Sequence, residues 1–137
     1  MIKQFCLIRS AFVISLLFFL TNNTFGQVGF NNPTRALYIF DLAKYIDYGP
    51  GFRDSSNFKI GVLLGDYDLI YELGLLAKTR TRIQDKPVMI VGFRNISSIT
   101  HTQVLYLNKN AGFSIDQVKA KIAGHQTMLI SEGYEFR

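Results

Sequence analysis

Few side chains in this sequence could do chemistry. His101 and His125 are its two histidines. Each stands just before a strand-like run, Gln103–Leu107 and Gln126–Ser131. In a parallel sheet both would lie near the N-terminal end, whereas ligands of open parallel sheets gather at the carboxyl ends. Neither an H-x-x-x-H spacing nor a neighbouring carboxylate pattern accompanies them. They read as solvated loop histidines, and no metal site is expected. Asp66 and Asp68 follow the run Phe58–Leu64 at its carboxyl end. That place suits a metal or a phosphate-accepting acid. A receiver-like site would need another acid after a later strand, but those runs end in Gly92-Phe93-Arg94 and Leu107-Asn108-Lys109. Asp66 therefore reads as a helix cap.

Other catalytic constellations are missing too. Gly61 and Gly65 lie in I-G-V-L-L-G-D, which is neither G-x-G-x-x-G nor a P-loop with G-K-[ST]. Ser55, Ser56, Ser97 and Ser98 stand in no G-x-S-x-G elbow. Cys6 is the only cysteine. No nucleophile, base and oxyanion set can be assembled, so no enzyme and no cofactor is expected. Lys78, Arg80, Arg82 and Lys86 cluster around Asp85 and read as a solvated loop.

The elements that carry these residues follow from periodicity. Asn32 and Pro33 open a helix, as N-cap and first helical residue, running to about Tyr48. Ala36, Ile39, Phe40, Ala43 and Ile46 form one apolar stripe; Tyr38, Leu42 and Tyr45 form a second beside it. A helix so apolar around its circumference is mostly buried, or covered by a partner. Phe58–Leu64 is a strand, and Asp66 caps a helix over about 67–78. Lys78–Asp85 is a polar connection, and Lys86–Phe93 a second strand with Pro87 at its start. Asn95 caps a short turn, and Gln103–Leu107 is a third strand. Ser114 and Gln117 form a capping box, and Gly124 ends the helix they start. Gln126–Ser131 is a fourth strand. Strands alternating with amphipathic helices predict an α/β fold: a single three-layer domain with a mostly parallel sheet of about four strands flanked by helices.

The first 26 residues differ from the rest. Lys3 and Arg9 precede the apolar run Ala11–Leu20, and Thr21–Gln27 is short and polar. This is the layout of a cleaved signal peptide, with the cut between Gly26 and Gln27. The apolar run covers ten residues, half of the ~20 a spanning helix needs, so no stable membrane span is expected after cleavage. The whole chain has 137 residues, 15 Lys+Arg and 10 Asp+Glu, for a net charge of +5. Removing Lys3 and Arg9 leaves 13 basic and 10 acidic residues, net +3. Nucleic acid is then a poor partner. Cys6 departs with the signal, so the mature domain, residues 27–137, has neither disulfides nor thiol chemistry.

The stretch A-L-Y-I-F-D-L-A-K-Y-I-D-Y-G (Ala36–Gly49), followed by F-K-I-G-V-L-L-G (Phe58–Gly65), resembles the opening of the YfiR/HmsC-like family. K-P-V-M-I-V (Lys86–Val91), Q-V-L-Y-L (Gln103–Leu107) and T-M-L-I-S-E-G (Thr127–Gly133) are similar to its later strands. Tyr48 stands where the family usually has tryptophan. Family members continue past the position of Arg137, so the domain reads as C-terminally shortened, or as the leading sensor part of a longer signalling protein. The resemblance implies a periplasmic regulator, not an enzyme. It would bind the periplasmic part of a membrane signalling protein, such as a diguanylate cyclase, and so act on c-di-GMP signalling and biofilm formation. Tyr38, Leu42, Tyr45 and Tyr48 are the expected partner-binding residues, since the second stripe needs a cover from a membrane partner or from a second copy in a homodimer. The alternative is a small-ligand sensor using the strand carboxyl ends near Gly65, Asp66 and Arg94.

Overall fold

The computed structural model describes residues 31–53, 55–63, 66–108 and 112–133. The expected signal peptide, its cut at Gly26–Gln27 and the last four residues lie outside them. The described chain runs α1 (Asn32–Tyr45), α2 (Pro50–Arg53), β1 (Phe58–Leu63), α3 (Tyr67–Thr79), β2 (Arg82–Ile83), β3 (Lys86–Phe93), a 3-10 turn (Ile96–Ser98), β4 (Val104–Leu107), α4 (Ile115–Ile122) and β5 (Met128–Ser131). The fold is α/β with a mostly parallel sheet, as expected.

The sheet order is β2-β3-β1-β4-β5. β1 pairs in parallel with both β3 and β4, and β4 in parallel with β5. Helices cover both faces. Phe58, Ile60 and Val62 of β1, with Val104 and Tyr106 of β4, point to one face and meet α1 and α3 through Ile39, Phe40, Leu69 and Leu73. Leu63, Leu105 and Leu107 point to the other, against Val118 of α4 and Ile99. The period-2 alternation of a strand buried on both sides produces two cores from one sheet.

The helix starts obey local chemistry. The Asp66 carboxylate accepts the Leu69 N–H at 3.2 Å. Ser114 and Gln117 close their capping box, at 3.2 Å in both directions. Asn95 and Ser98 form a second one around the 3-10 turn. Gly124 takes φ +85° just past α4, the left-handed position that ends a helix. At α1 the cap is Asn31, one residue earlier than expected, with its side chain accepting the Thr34 N–H at 3.0 Å.

Three expectations are corrected. The sheet has a fifth strand among the described residues, since Arg82–Ile83 pairs antiparallel with Lys86–Pro87. Gln84 and Asp85 both take positive φ (48° and 64°), the backbone of a tight hairpin turn. Neither is glycine, so the turn carried no sequence signal; Ile83, 1% exposed, anchors the hairpin in the core. Second, α1 ends at Tyr45, not Tyr48, because Ile46 turns extended. Third, Pro50 opens a one-turn helix instead of a loop, and it carries Phe52 into the core. The basic cluster also disperses. Arg80 pairs with Asp41 at 3.1 Å, Arg82 donates to the Asp85 carbonyl, and Lys86 lies 4.9 Å from the Phe52 ring centre.

Candidate functional site

The expected partner-binding residues separate into two environments. Tyr38 is 58% exposed and Tyr45 84% exposed, and Leu42 is half-buried between them. α1 therefore presents an aromatic stripe to solvent and is not buried around its whole circumference. Tyr48 leaves this face. It is 3% exposed, its hydroxyl donates to the Ala43 carbonyl at 3.3 Å, and its ring packs on Phe52 and Phe58 at 5.5 and 5.2 Å. The cause is the early end of α1: with Ile46 extended and Gly49 at φ +68°, the chain turns Tyr48 inward. Burial pushes its phenol well above the usual range.

Beside the stripe lies the edge of the sheet. β5 is the last strand in the order and pairs with β4. Met128 and Glu132 direct their N–H groups to Gln103 and Leu107, so the alternate residues Leu129 and Ser131 direct theirs away from β4, where no described strand pairs. A groove of about 230 Å³ runs between α1 and this edge, lined by Arg35, Tyr38, Ile39, Tyr106, Ile130, Ser131 and Glu132. Its wall is mainly apolar, with polar groups at one end.

Those polar groups gather at the carboxyl ends of β1, β4 and β5. Glu132 accepts the Tyr106 hydroxyl at 2.8 Å and pairs with the Arg35 guanidinium at 3.1 Å. Asn108 donates to Asp66 at 3.0 Å, and Arg35 stands 3.9 Å from the same carboxylate. The Arg35 Nε is buried and has no hydrogen-bond partner among the described residues. Burial, and then the Glu132 carboxylate, push the Tyr106 phenol well up. β1 is flanked by β3 on one side and β4 on the other, and the chain passes from β3 across β1 to β4, so the strand order reverses beside β1. The carboxyl end of such a switch point is where open α/β sheets bind ligands. Of the residues expected there, Asp66 belongs to the network, Arg94 is exposed beyond β3, and Gly65 lies outside the described residues. Arg35 and Glu132 were missed. They are 97 positions apart, and no spacing rule joins them.

The histidines lie at the opposite end of the sheet, as expected, and both are exposed. Their ring centres are only 5.2 Å apart. Desolvation, then His125 and Lys59, hold His101 below the usual imidazole range. Among the described residues no group of three or more His, Cys, Asp or Glu could hold a metal, and no helix is long and apolar enough to cross a membrane.

The site thus combines an exposed aromatic stripe with a paired polar network. Among the described residues no side chain is placed as an activated nucleophile against a base. No curated protein and no solved structure matches the chain at a significant level. The family model described as YfiR/HmsC-like matches residues 32–137. That span starts at the first residue of α1 and takes in every strand and helix above, so the chain belongs to the YfiR/HmsC-like family.

Proposed function

We propose that the protein is an exported, periplasmic regulator without catalytic activity of its own. It controls a membrane signalling partner, of the diguanylate cyclase kind, by direct contact, and so sets c-di-GMP levels and biofilm formation. Membership of a regulator family supports the class. One observation carries the contact surface: the exposed stripe of Tyr38 and Tyr45 on α1, continuous through Tyr38 with the groove beside β5, the outermost described strand. Exposed tyrosines flanking an apolar groove have the composition of an interface core, and an open strand edge can take main-chain hydrogen bonds from a partner.

The test is Tyr45→Asp, expressed with the cognate membrane cyclase. Tyr45 is 84% exposed, so the fold keeps its stability within about 0.5 kcal/mol. A central tyrosine in an interface is worth about 2 kcal/mol or more, which corresponds to roughly a thirty-fold loss of affinity. Cellular c-di-GMP should rise to the level of a strain lacking the regulator. Unchanged repression by a folded Tyr45→Asp protein sinks this surface.

A second reading rests on the unpartnered Arg35 Nε at the carboxyl end of the sheet. There a small anionic ligand would bind in the groove and the domain would act as a sensor. It predicts a thermal shift with carboxylate metabolites that Arg35→Met abolishes and Tyr45→Asp leaves intact.

A further inference from the structure

The N-terminal end of the sheet carries a feature that the regulatory reading does not use. His101 precedes β4 and His125 precedes β5, and the β4–β5 pairing brings them together. The backbone of His125 is hydrogen-bonded on both sides. The His125 N–H donates to the Ile122 carbonyl at 3.0 Å, and its own carbonyl accepts the Thr127 N–H at 2.9 Å. The Thr127 hydroxyl donates to the Thr102 carbonyl, next to His101, at 2.7 Å. The two imidazoles open on a cavity of about 370 Å³ that Gln103 and Gln126 also line. Gln103 is 2% exposed, and its Oε1 accepts the Lys59 N–H at 2.6 Å.

The separation of the rings is informative. Zinc binds imidazole nitrogen at about 2.0–2.1 Å, along the lone pair in the ring plane, so each ring centre stands about 3.2 Å from the ion. Two such rings at a tetrahedral angle of about 109° have centres about 5.2 Å apart. The rings here are 5.2 Å apart and tilted by 42°, a separation that matches this geometry.

We propose that His101 and His125 form a zinc-class divalent metal site, with the two remaining tetrahedral positions open to water in the cavity. The β4–β5 register and the backbone bonds of His125 place the two residues side by side. The charge of Lys59 acts on His101. It opposes a bound cation, so Lys59 weakens zinc here, and its removal tells a cation site from an anion site.

The experiment titrates zinc into the untagged protein, with competition against a chromophoric chelator and histidine ring proton shifts as readouts. His101→Ala and His125→Ala should each weaken zinc at least tenfold. Both residues are exposed, so both variants should keep the metal-free melting temperature. Lys59→Gln should tighten zinc by a few fold. Binding should also weaken as the pH falls, because the ion and the proton compete for imidazole nitrogen. Zinc binding that is absent at millimolar concentration, or unaffected by either histidine variant, overturns the proposal. So does a site that takes acetate or phosphate in place of zinc and is weakened by Lys59→Gln.

Discussion

Gly61 sits in the middle of β1, between β3 and β4. A Cβ built there would lie 2.7 Å from a ring carbon of Phe93, 3.1 Å from Leu105 Cδ1 and 3.2 Å from Thr102 Cγ2. Ordinary carbon contacts are about 3.5–4.0 Å, so Gly61→Ala must displace the Phe93 ring by roughly 1 Å. Phe93 is buried in the second core with Leu105 and Leu107, so the ring has little room to yield. Overpacking of this kind costs roughly 1–3 kcal/mol. The strand regains about 0.5–1 kcal/mol from replacing glycine. The net expectation is a loss of about 1–2 kcal/mol. For a domain of this size that lowers the melting temperature by on the order of 5–10 °C. Urea unfolding should show a lower midpoint with an unchanged slope. Phe93→Leu should be less costly in the Gly61→Ala background than alone, by at least about 0.5 kcal/mol, since the two sites touch. If Gly61→Ala is as stable as the wild type, or if the two substitutions add independently, the steric account is wrong.

Other consequences follow from burial and charge. Tyr48→Ala should cost about 3–5 kcal/mol as a core truncation, whereas Tyr45→Ala should stay within about 0.5 kcal/mol; chemical denaturation of both variants reads the contrast, and equal losses would show that Tyr48 is not a core residue. Tyr106→Phe keeps the ring and removes the hydroxyl that Glu132 accepts, with an expected cost of about 1–2 kcal/mol; a neutral result would mean that water replaces the hydroxyl at no cost. Stability should also fall with acid through His101. Its folded-state imidazole titrates below the usual value, so the unfolded chain takes up the proton first, and the loss starts near pH 6.5 and grows until the folded imidazole is protonated too. Melting curves from pH 7.5 to 5.0 should show a smaller acid slope for His101→Gln than for wild type, and an equal slope would refute the assignment.

Much of this fold was legible in sequence because its determinants are local. The S-x-x-Q box at Ser114, the Asp66 cap and Gly124 each act within one turn of chain. The apolar run at the end of Phe58–Leu64 announced a strand buried on both faces. The hairpin at Gln84–Asp85 was hidden, because its turn has no glycine and its short strand is anchored through Ile83, a single core residue. The end of α1 was misjudged for a related reason. Tyr45 and Tyr48 fit the same helical stripe, and only the aromatic cluster of Phe52 and Phe58 draws Tyr48 inward.

By itself, the sequence determined the class of the molecule: alternating elements for an α/β sheet, an apolar first helix, and no catalytic motif. Those properties depend on residue type and on spacings shorter than about one helix turn. Only the tertiary structure decided which groups meet. Arg35 reaches Glu132 because α1 lies beside the last strand, and His101 reaches His125 because β4 and β5 run parallel in register. Such contacts join residues distant in the chain through strand order, and strand order is set by the packing of the whole core, not by any local run of residues.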